Sequence, residues 1–311
     1  MRKLEQIFAN FIAYAEEQQL KIEGIAVADE KQVLLEHRFT PDLPRNIYSH
    51  TKSYMATAVG LAVSDGMLNL DDRLIDAFPE AVPDHPDEGL EKIRLKHLLT
   101  MSSGFGHPYL MGADRRAGVG ACDYVTYMMS QKVVEEPGSR FEYSSADSIL
   151  AGRMVEQAVG MNLGEYLYRR IFSVLDQGWP IWENDYQGHP VGCGGLYLPL
   201  KEMMKLGQLY LSGGKWKGEQ LLDSVWVREA STKKIDTDKE ATKDPWRCGY
   251  GYQFWMSPYP DSYRADGAYG QISTVLPKQR LVVGIQCPET GDFEQVKMAL
   301  HKELLLPLTA G

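Results

Sequence analysis

Apolar residues recur at helical spacing in several separate stretches of the chain. Between residues 55 and 63 they fall at steps of three and four, and the run stops at Gly66, which predicts a helix that ends there. The same pattern predicts further helices over residues 1–19, 93–101, 124–129, 147–159, 199–212 and 293–306. Helices therefore occupy both ends of the chain and much of its middle.

Short apolar runs bounded by turn residues predict strands near the two ends of the chain. These runs cover residues 22–27, 32–35, 249–255, 272–276 and 281–285. A turn at residues 29–30 joins the first two runs into a hairpin, and a turn at residues 277–280 joins the last two. Because the terminal helices flank strands from both ends, we predict an α+β fold with an antiparallel sheet.

The middle third of the chain, mainly helices and loops, forms a second part in this prediction. Residues 1–70 and 188–311 are expected to form a discontinuous subdomain that contains the sheet, and residues 71–187 a helical subdomain. A cleft between two such parts is a common place for a small-molecule site. We therefore expect the catalytic cleft at their join.

Composition and charge narrow the classes of protein. Of the 311 residues, 44% are hydrophobic and 24% charged, and the net charge of 33 − 42 = −9 argues against binding nucleic acid. No apolar run approaches the ~20 residues that span a bilayer, so we expect no membrane association. The first 19 residues lack the apolar core of a signal peptide, and the four cysteines are widely spaced. Both features predict a cytoplasmic protein.

Several common catalytic motifs are absent from the sequence. There is no H-E-x-x-H metal motif, no Walker A loop, no G-x-G-x-x-G fingerprint and no G-x-S-x-G nucleophile elbow. The seven histidines do not pair at metal-ligand spacing, and three of them (His85, His107 and His189) precede proline. We therefore expect neither a metal centre nor a cofactor.

A serine and a lysine three residues apart stand at the start of the helix that ends at Gly66. Residues at this spacing share a helix face, so Lys52 is expected beside the Ser49 hydroxyl, where a lysine can serve as a base. The same spacing follows Ser212 and Ser231. Those two serines lie in a glycine-containing turn and in a charged run, which leaves Ser49 as the candidate nucleophile.

The run Tyr143-Ser144-Ser145 follows a proline-glycine turn and precedes a predicted helix. A tyrosine taken alone is more often a packed aromatic than a base, and that alternative stays open. Together with Ser49 and Lys52, the run gives the set of groups that serine β-lactamases and penicillin-binding proteins need.

The order of further motifs resembles the class C β-lactamase-like serine hydrolases, a superfamily that includes esterases, D-amino-acid peptidases and amide-oligomer hydrolases. The resemblance extends over most of the chain, through residues 52–54, 68–72, 95–104, 194–196, 204–209, 249–252 and 267–271. Residues 182–195 and 270–271 are most similar to the amide-oligomer hydrolase and esterase branch. The resemblance implies the β-lactamase/penicillin-binding-protein fold.

This resemblance also implies a role for each matching residue. Ser49 attacks the substrate carbonyl and becomes acylated, while Lys52 and Tyr143 take its proton and pass it to the leaving group. The backbone N–H groups of Ser49 and of Ala268, expected on the edge strand, form the oxyanion hole. Substrate-binding roles are implied for Ser145, Asp266, Gly267, Tyr269 and Trp182.

Two positions depart from the pattern of the β-lactamases. Ser145 stands where those enzymes carry asparagine, and its hydroxyl has a shorter reach than an amide. The run Ala265-Asp266-Gly267 occupies the place of their Lys-Thr-Gly or His-Thr-Gly motif, so a cation is missing and a carboxylate is added. A carboxylate there repels the carboxylate of a β-lactam. It is equally compatible with a turn residue that caps a backbone N–H.

These features together predict a serine hydrolase that cleaves an ester or amide bond of a small molecule through an acyl-enzyme on Ser49, without a cofactor. One alternative is a true β-lactamase or D-amino-acid peptidase. An alternative of another class is a catalytically silent protein that binds a peptide or cell-wall fragment in the same cleft.

Overall fold

A computed structural model describes residues 2–237 and 246–310 of the chain. Its helices are α1 (Arg2–Glu17), α2 (Thr51–Ser64), α3 (Leu74–Ala77), α4 (Leu95–Leu99), α5 (Gly112–Arg116), α6 (Tyr124–Met129), α7 (Ser145–Val159), α8 (Leu163–Leu167), α9 (Leu200–Leu211), α10 (Ser224–Ala230), α11 (Phe293–Ala299) and α12 (Leu306–Thr309). A 3-10 turn, Tyr48–His50, leads into α2. Helix α7 begins earlier than the pattern predicts, because the Ser144 hydroxyl caps it by accepting the Ala146 N–H at 3.3 Å.

The strands are β1 (Gly24–Ala28), β2 (Val33–Arg38), β3 (Arg45–Asn46), β4 (Ile181–Trp182), β5 (Leu196–Leu198), β6 (Lys215–Trp216), β7 (Glu219–Gln220), β8 (Trp255–Met256), β9 (Tyr263–Gly267), β10 (Gln271–Leu276) and β11 (Leu281–Gln286). The main sheet has the order β2-β1-β11-β10-β9-β8, and its neighbouring strands are antiparallel. Ile25 of β1 lies opposite Ile285 of β11. The predicted antiparallel sheet made from both ends of the chain is therefore confirmed.

Side chains of β1 alternate between two hydrophobic clusters, as expected for a strand covered on both faces. Ile25 and Val27 belong to the cluster that contains Phe11 and Leu300 from the terminal helices. The alanines that alternate with them belong to the cluster on the opposite face, with α9 and the middle of the chain. Helix α2 lies in this second cluster and is buried from residue 51 to residue 62.

Helices α3 to α8 occupy the middle of the chain, and α7 packs against α2. This pairing joins the segment that follows Ser49 to the segment that follows Tyr143. The division into residues 1–70 with 188–311 and residues 71–187 stays a prediction. It agrees with the position of the main sheet, whose strands all come from outside the middle segment.

The strand predicted over residues 249–255 is largely irregular. Only Trp255 of that stretch belongs to a strand, because Gly249 and Gln253 have positive φ values of 115° and 62°, which interrupt an extended backbone. The Gln253 side chain donates hydrogen bonds to the carbonyl oxygens of Leu98 and Leu99, at 3.1 and 3.0 Å. This segment therefore serves as a buried link to α4 and not as a sheet strand.

Two kinds of feature are missing from residues 2–237 and 246–310. No helix in these ranges is both long and apolar enough to cross a membrane. The same ranges contain no group of three or more histidine, cysteine, aspartate or glutamate residues that could hold a metal ion.

Candidate active site

Ser49 lies in the 3-10 turn before α2, and Lys52 lies in the first turn of that helix. The lysine is 1% exposed. Its Nζ donates one hydrogen bond to Ser49 Oγ at 3.2 Å and another to the Cys193 carbonyl oxygen at 2.8 Å. A buried lysine held in this way can exchange a proton with the neighbouring hydroxyl.

The other two serines with the same spacing have different environments. Ser212 Oγ donates to the backbone carbonyl of Lys215. Ser231 Oγ donates to a carbonyl one helical turn earlier, at 2.7 Å, and the Lys234 ammonium pairs with Glu229 at 2.6 Å. Both hydroxyls are therefore bonded to a backbone carbonyl, and the Lys234 ammonium is paired with a carboxylate.

Tyr143 lies beside Lys52, just before α7. Lys52 Nζ is 5.0 Å from the centroid of its ring, within the range of a cation–π interaction. The ring stacks on Trp255, with centroids 5.5 Å apart, and meets Tyr250 edge-on. Aromatic packing therefore fixes the tyrosine ring next to the lysine, so the structure brings the three predicted catalytic residues together.

Strand β9 ends against the turn that carries Ser49. A Cβ atom on Gly267 would overlap the carbonyl oxygen of Ile47 and would lie 3.1 Å from the amide nitrogen of His50. Glycine is needed for this close approach. It brings Ala268 to the cavity that Ser49 also lines. Ala268 is not on an edge strand, because it follows β9 in a 3-10 turn and β8 pairs beside β9.

The residues next to both expected oxyanion donors have left-handed backbone conformations. Tyr48 precedes Ser49 with φ 47°, and Tyr269 follows Ala268 with φ 59°. Their rings meet edge-on with centroids 5.1 Å apart. The Tyr48 hydroxyl donates to Glu289, and burial together with this bond raises the pKa of Tyr48. Strained backbone of this kind is held where the surrounding contacts require it, often at functional sites.

A cavity of about 680 Å³ opens beside Ser49. Ser145 lines it, and its Oγ donates to Met111 Sδ at 3.4 Å. Tyr269 lines it from the opposite segment. Of the predicted substrate-binding residues, Ser145 and Tyr269 therefore lie at the cavity.

Sequence reasoning did not identify the charged residues of this cavity, among them Arg115, Glu183 and Glu289. Arg115 donates to the Sγ of Cys193 at 3.1 Å. Glu183 accepts a hydrogen bond from the Tyr197 hydroxyl at 3.0 Å. The three residues come from separate segments, so no local spacing connects them. For Glu183 there was one signal, since it lies within the stretch 182–195 that carries part of the family resemblance.

Asp266 is placed in an ion pair. Its carboxylate accepts from Arg264 Nε at 2.8 Å, and the arginine side chain is 3% exposed. The guanidinium also lies over the rings of Trp246 and Trp255, 4.9 and 5.6 Å from their centroids. Asp266 is one of the residues that the structure describes, and it does not line the cavity beside Ser49. Asp266 therefore has an internal partner, Arg264, and its expected contact with substrate stays a prediction.

Trp182 supports the loop that holds Lys52. Its Nε1 donates to the carbonyl oxygens of Val191 and Gly194, at 3.1 and 2.9 Å. These residues flank Cys193, whose carbonyl accepts the lysine hydrogen bond. Trp182 also lines a neighbouring cavity of about 330 Å³. Its expected contact with substrate stays a prediction.

His50, the residue after the candidate nucleophile, is fully buried. Its ring Nε2 lies 3.1 Å from Ser273 Oγ, which ties the turn to β10. Burial lowers the pKa of His50 to about 3. The imidazole is therefore neutral near pH 7 and serves as a hydrogen-bonded spacer between α2 and the sheet.

Comparison with known proteins agrees with this architecture. The profile of the β-lactamase family matches residues 5–304. The 6-aminohexanoate-dimer hydrolase of Paenarthrobacter ureafaciens is 22% identical over 262 residues, which cover 72% of this chain and 66% of that protein. Among solved structures, EstCE1, a hydrolase with promiscuous acyltransferase activity, has a TM-score of 0.75 at 16% identity and covers 97% of this chain and 98% of its own. A family VIII carboxylesterase has a TM-score of 0.71 at 17% identity, with 98% of both chains covered.

The chain belongs to the β-lactamase family. This membership confirms the predicted family resemblance and the predicted fold. The structural neighbours, all below 25% identity, show the shared fold. The chain spans 37% of the length of the first curated relative that it matches and 66% of the length of the second.

Proposed function

We propose that the protein cleaves ester or amide bonds of small molecules through an acyl-enzyme on Ser49. The observation that carries this proposal is the hydrogen bond of 3.2 Å from the buried Lys52 Nζ to Ser49 Oγ. It joins a proton-handling group to a hydroxyl that lines a cavity together with Ala268. A serine paired with such a group can act as a nucleophile at neutral pH.

The reaction follows from the positions of these groups. Ser49 Oγ attacks the carbonyl carbon while its proton passes to the Lys52–Tyr143 pair. The N–H groups of Ser49 and Ala268 stabilise the oxyanion of the tetrahedral intermediate. The pair returns the proton to the leaving alcohol or amine, and the acyl-enzyme remains. Water then loses a proton to the same pair and attacks the acyl carbon. The pair gives this proton to Ser49 Oγ as the bond to the acyl carbon breaks, which releases the carboxylic acid and restores the serine.

Two observations favour an ordinary ester or amide over a β-lactam. The run Ala265-Asp266-Gly267 lacks the cation that β-lactamases present, and the nearby Arg264 is already paired with Asp266 at 2.8 Å. One matching relative is named as a hydrolase of the 6-aminohexanoate dimer, and one structural neighbour as a carboxylesterase. A β-lactamase or D-amino-acid peptidase is the alternative within the same family.

The proposed reaction needs only these side chains, backbone N–H groups and water, so it requires no cofactor. A cavity of about 680 Å³ suits a small molecule. The proposal includes a cytoplasmic location, which the sparse cysteines of the sequence support.

A fluorophosphonate probe, which phosphonylates active serines with loss of fluoride, tests the nucleophile. We expect wild type to be labelled and Ser49→Ala to remain unlabelled. Ser231→Ala is the matched control, because it removes a serine of the same spacing whose hydroxyl is bonded within its own helix. Labelling that persists in Ser49→Ala would overturn the proposal. An unlabelled wild type would favour the catalytically silent binding protein.

Panels of substrates then distinguish an ester or amide hydrolase from a β-lactamase. We expect turnover of small p-nitrophenyl esters or anilides that depends on Ser49, and slow or absent turnover of penicillins. Rapid hydrolysis of several penicillins would contradict the ester or amide assignment and would favour the β-lactamase alternative.

A further inference from the structure

Asp147 is a buried carboxylate near the proposed catalytic residues that the reaction above does not use. It lies in the first turn of α7, four residues after Tyr143, and is 0% exposed. Ser103 Oγ donates a hydrogen bond to its Oδ1 at 2.7 Å. Its Oδ2 is buried and has no hydrogen-bond partner among the described residues. A buried carboxylate oxygen without a partner is costly unless a nearby charge compensates it.

A compensating charge is available in Lys52, which is buried in the first turn of α2. Helices α2 and α7, which carry the two residues, pack against each other. Burial raises the pKa of Asp147 to about 7, while hydrogen bonds from Ser103 and the charge of Lys52 act in the opposite direction. Asp147 and Lys52 are both among the residues that the structure describes, and no direct ion pair joins them. The charges therefore interact through space in a weakly polarisable interior, where such interactions are stronger than in water.

Helices α2 and α7 share a hydrogen-bond partner, Gln253, next to Lys52 and Asp147. Ser53, the residue after Lys52, donates to the backbone carbonyl of Gln253 at 2.7 Å. Ser148, the residue after Asp147, donates to the side-chain oxygen of the same glutamine at 2.7 Å. All three of these bonded residues are buried. The lysine and the carboxylate are thus held in a fixed relation by buried polar contacts.

We infer that Asp147 is a positioning residue for the Lys52–Tyr143 pair, whose protonated form it stabilises while the pair holds the proton of Ser49. This inference rests on the proposed hydrolase function. Asp147 acts in its ionised form, and the proton of Ser49 does not move to it. Asp147 acts on the step in which the proton leaves the serine, so it alters kcat more than it alters the binding of substrate.

Two variants separate this role from simple anchoring of the loop at Ser103. Asp147→Asn removes the charge but keeps an oxygen that can accept the Ser103 hydrogen bond. Ser103→Ala removes the hydrogen bond but keeps the carboxylate. With p-nitrophenyl acetate, we expect Asp147→Asn to lower kcat about 10- to 100-fold with KM within about threefold, and Ser103→Ala to lower kcat by less than about threefold. An unchanged kcat in Asp147→Asn, or equal losses in both variants, would overturn the inference.

A stability cycle tests the same coupling without relying on catalysis. Lys52→Met removes the compensating charge, so Asp147→Asn is expected to raise the urea midpoint more in that background than in wild type. Equal shifts in the two backgrounds would contradict the coupling. Ser49→Ala is measured in parallel: if it keeps full esterase activity, the proposed hydrolase function fails, and the cycle still decides whether Lys52 and Asp147 interact.

Discussion

Gly267 and Ile47 approach so closely that a single added carbon atom on the glycine would overlap the carbonyl oxygen of the isoleucine. This contact holds the end of β9 against the turn of Ser49, and Ala268 follows directly. We predict that Gly267→Ala separates the two backbones and lowers kcat/KM for ester hydrolysis about 100-fold, since one oxyanion donor contributes about 10²–10³ in rate. The measurement is steady-state hydrolysis of a p-nitrophenyl ester.

The control for this prediction is Gly178→Ala, because a Cβ at Gly178 meets no atom within 4 Å. It is expected to retain wild-type kcat/KM. Equal activities in the two alanine variants would show that the contact of Gly267 with Ile47 does not position the second oxyanion donor.

Tyr143→Phe removes the hydroxyl and keeps the ring that stacks on Trp255. We predict that kcat falls about 10²- to 10³-fold, because the hydroxyl belongs to the proposed proton-transfer pair. The free energy of unfolding should change by less than about 1 kcal/mol, since the ring packing is retained. Tyr14→Phe is the control, because Tyr14 packs against the hydrophobic cluster that contains Phe11 and Leu300, and it should leave kcat unchanged. A Tyr143→Phe enzyme with normal kcat would assign the tyrosine to packing alone.

Because His50 is buried and neutral, we predict that the protein loses stability in acid. Burial lowers its pKa from 6.5 to about 3, so the unfolded chain binds a proton that the native protein excludes. The stability that depends on neutral His50 is fully present above about pH 6.5 and is lost as the pH falls toward 3. Between pH 7 and 4.5, wild type should lose about 3 kcal/mol relative to His50→Gln, measured by urea unfolding. Parallel pH profiles of the two proteins would contradict this.

Asp266→Asn tests the ion pair with Arg264. The arginine side chain is 3% exposed and the aspartate 18%, so removing the negative charge leaves a buried guanidinium without its counter-charge. We predict a loss of about 3 kcal/mol in the free energy of unfolding and no gain of penicillin hydrolysis. Asp261→Asn breaks an exposed pair with Lys278 and should change stability by less than about 1 kcal/mol. A variant that hydrolyses penicillin rapidly would return Asp266 to the substrate site.

The sequence was informative where a short segment carries the whole signal. Ser49 and Lys52 are three residues apart at a helix start, so the hydrogen bond between them follows from helical geometry. The strands β10 and β11 are adjacent in the chain, and their hairpin follows from a local turn. Tyr143 required the family resemblance, because nothing local shows that its ring will lie 5.0 Å from the Lys52 nitrogen.

Contacts between distant segments account for what the sequence did not reveal. Glu183 and Glu289 reach the cavity from separate loops. Gln253 combines a positive φ with hydrogen bonds to α4, and a period-2 pattern contains neither feature. The pair of Arg264 and Asp266 was in principle visible, since residues two apart on a strand share a face. That observation would have given Asp266 a partner before any substrate was considered.

The pairing of β1 with β11 has a consequence for synthesis on the ribosome. Residues 24–28 pair with the nearby strand β2 on one side, but residues 282–286, their neighbours on the other side, are made only after the middle segment, so the sheet cannot close before then. Ala268 also emerges long after Ser49. A product truncated before residue 268 therefore lacks one of the two proposed oxyanion donors.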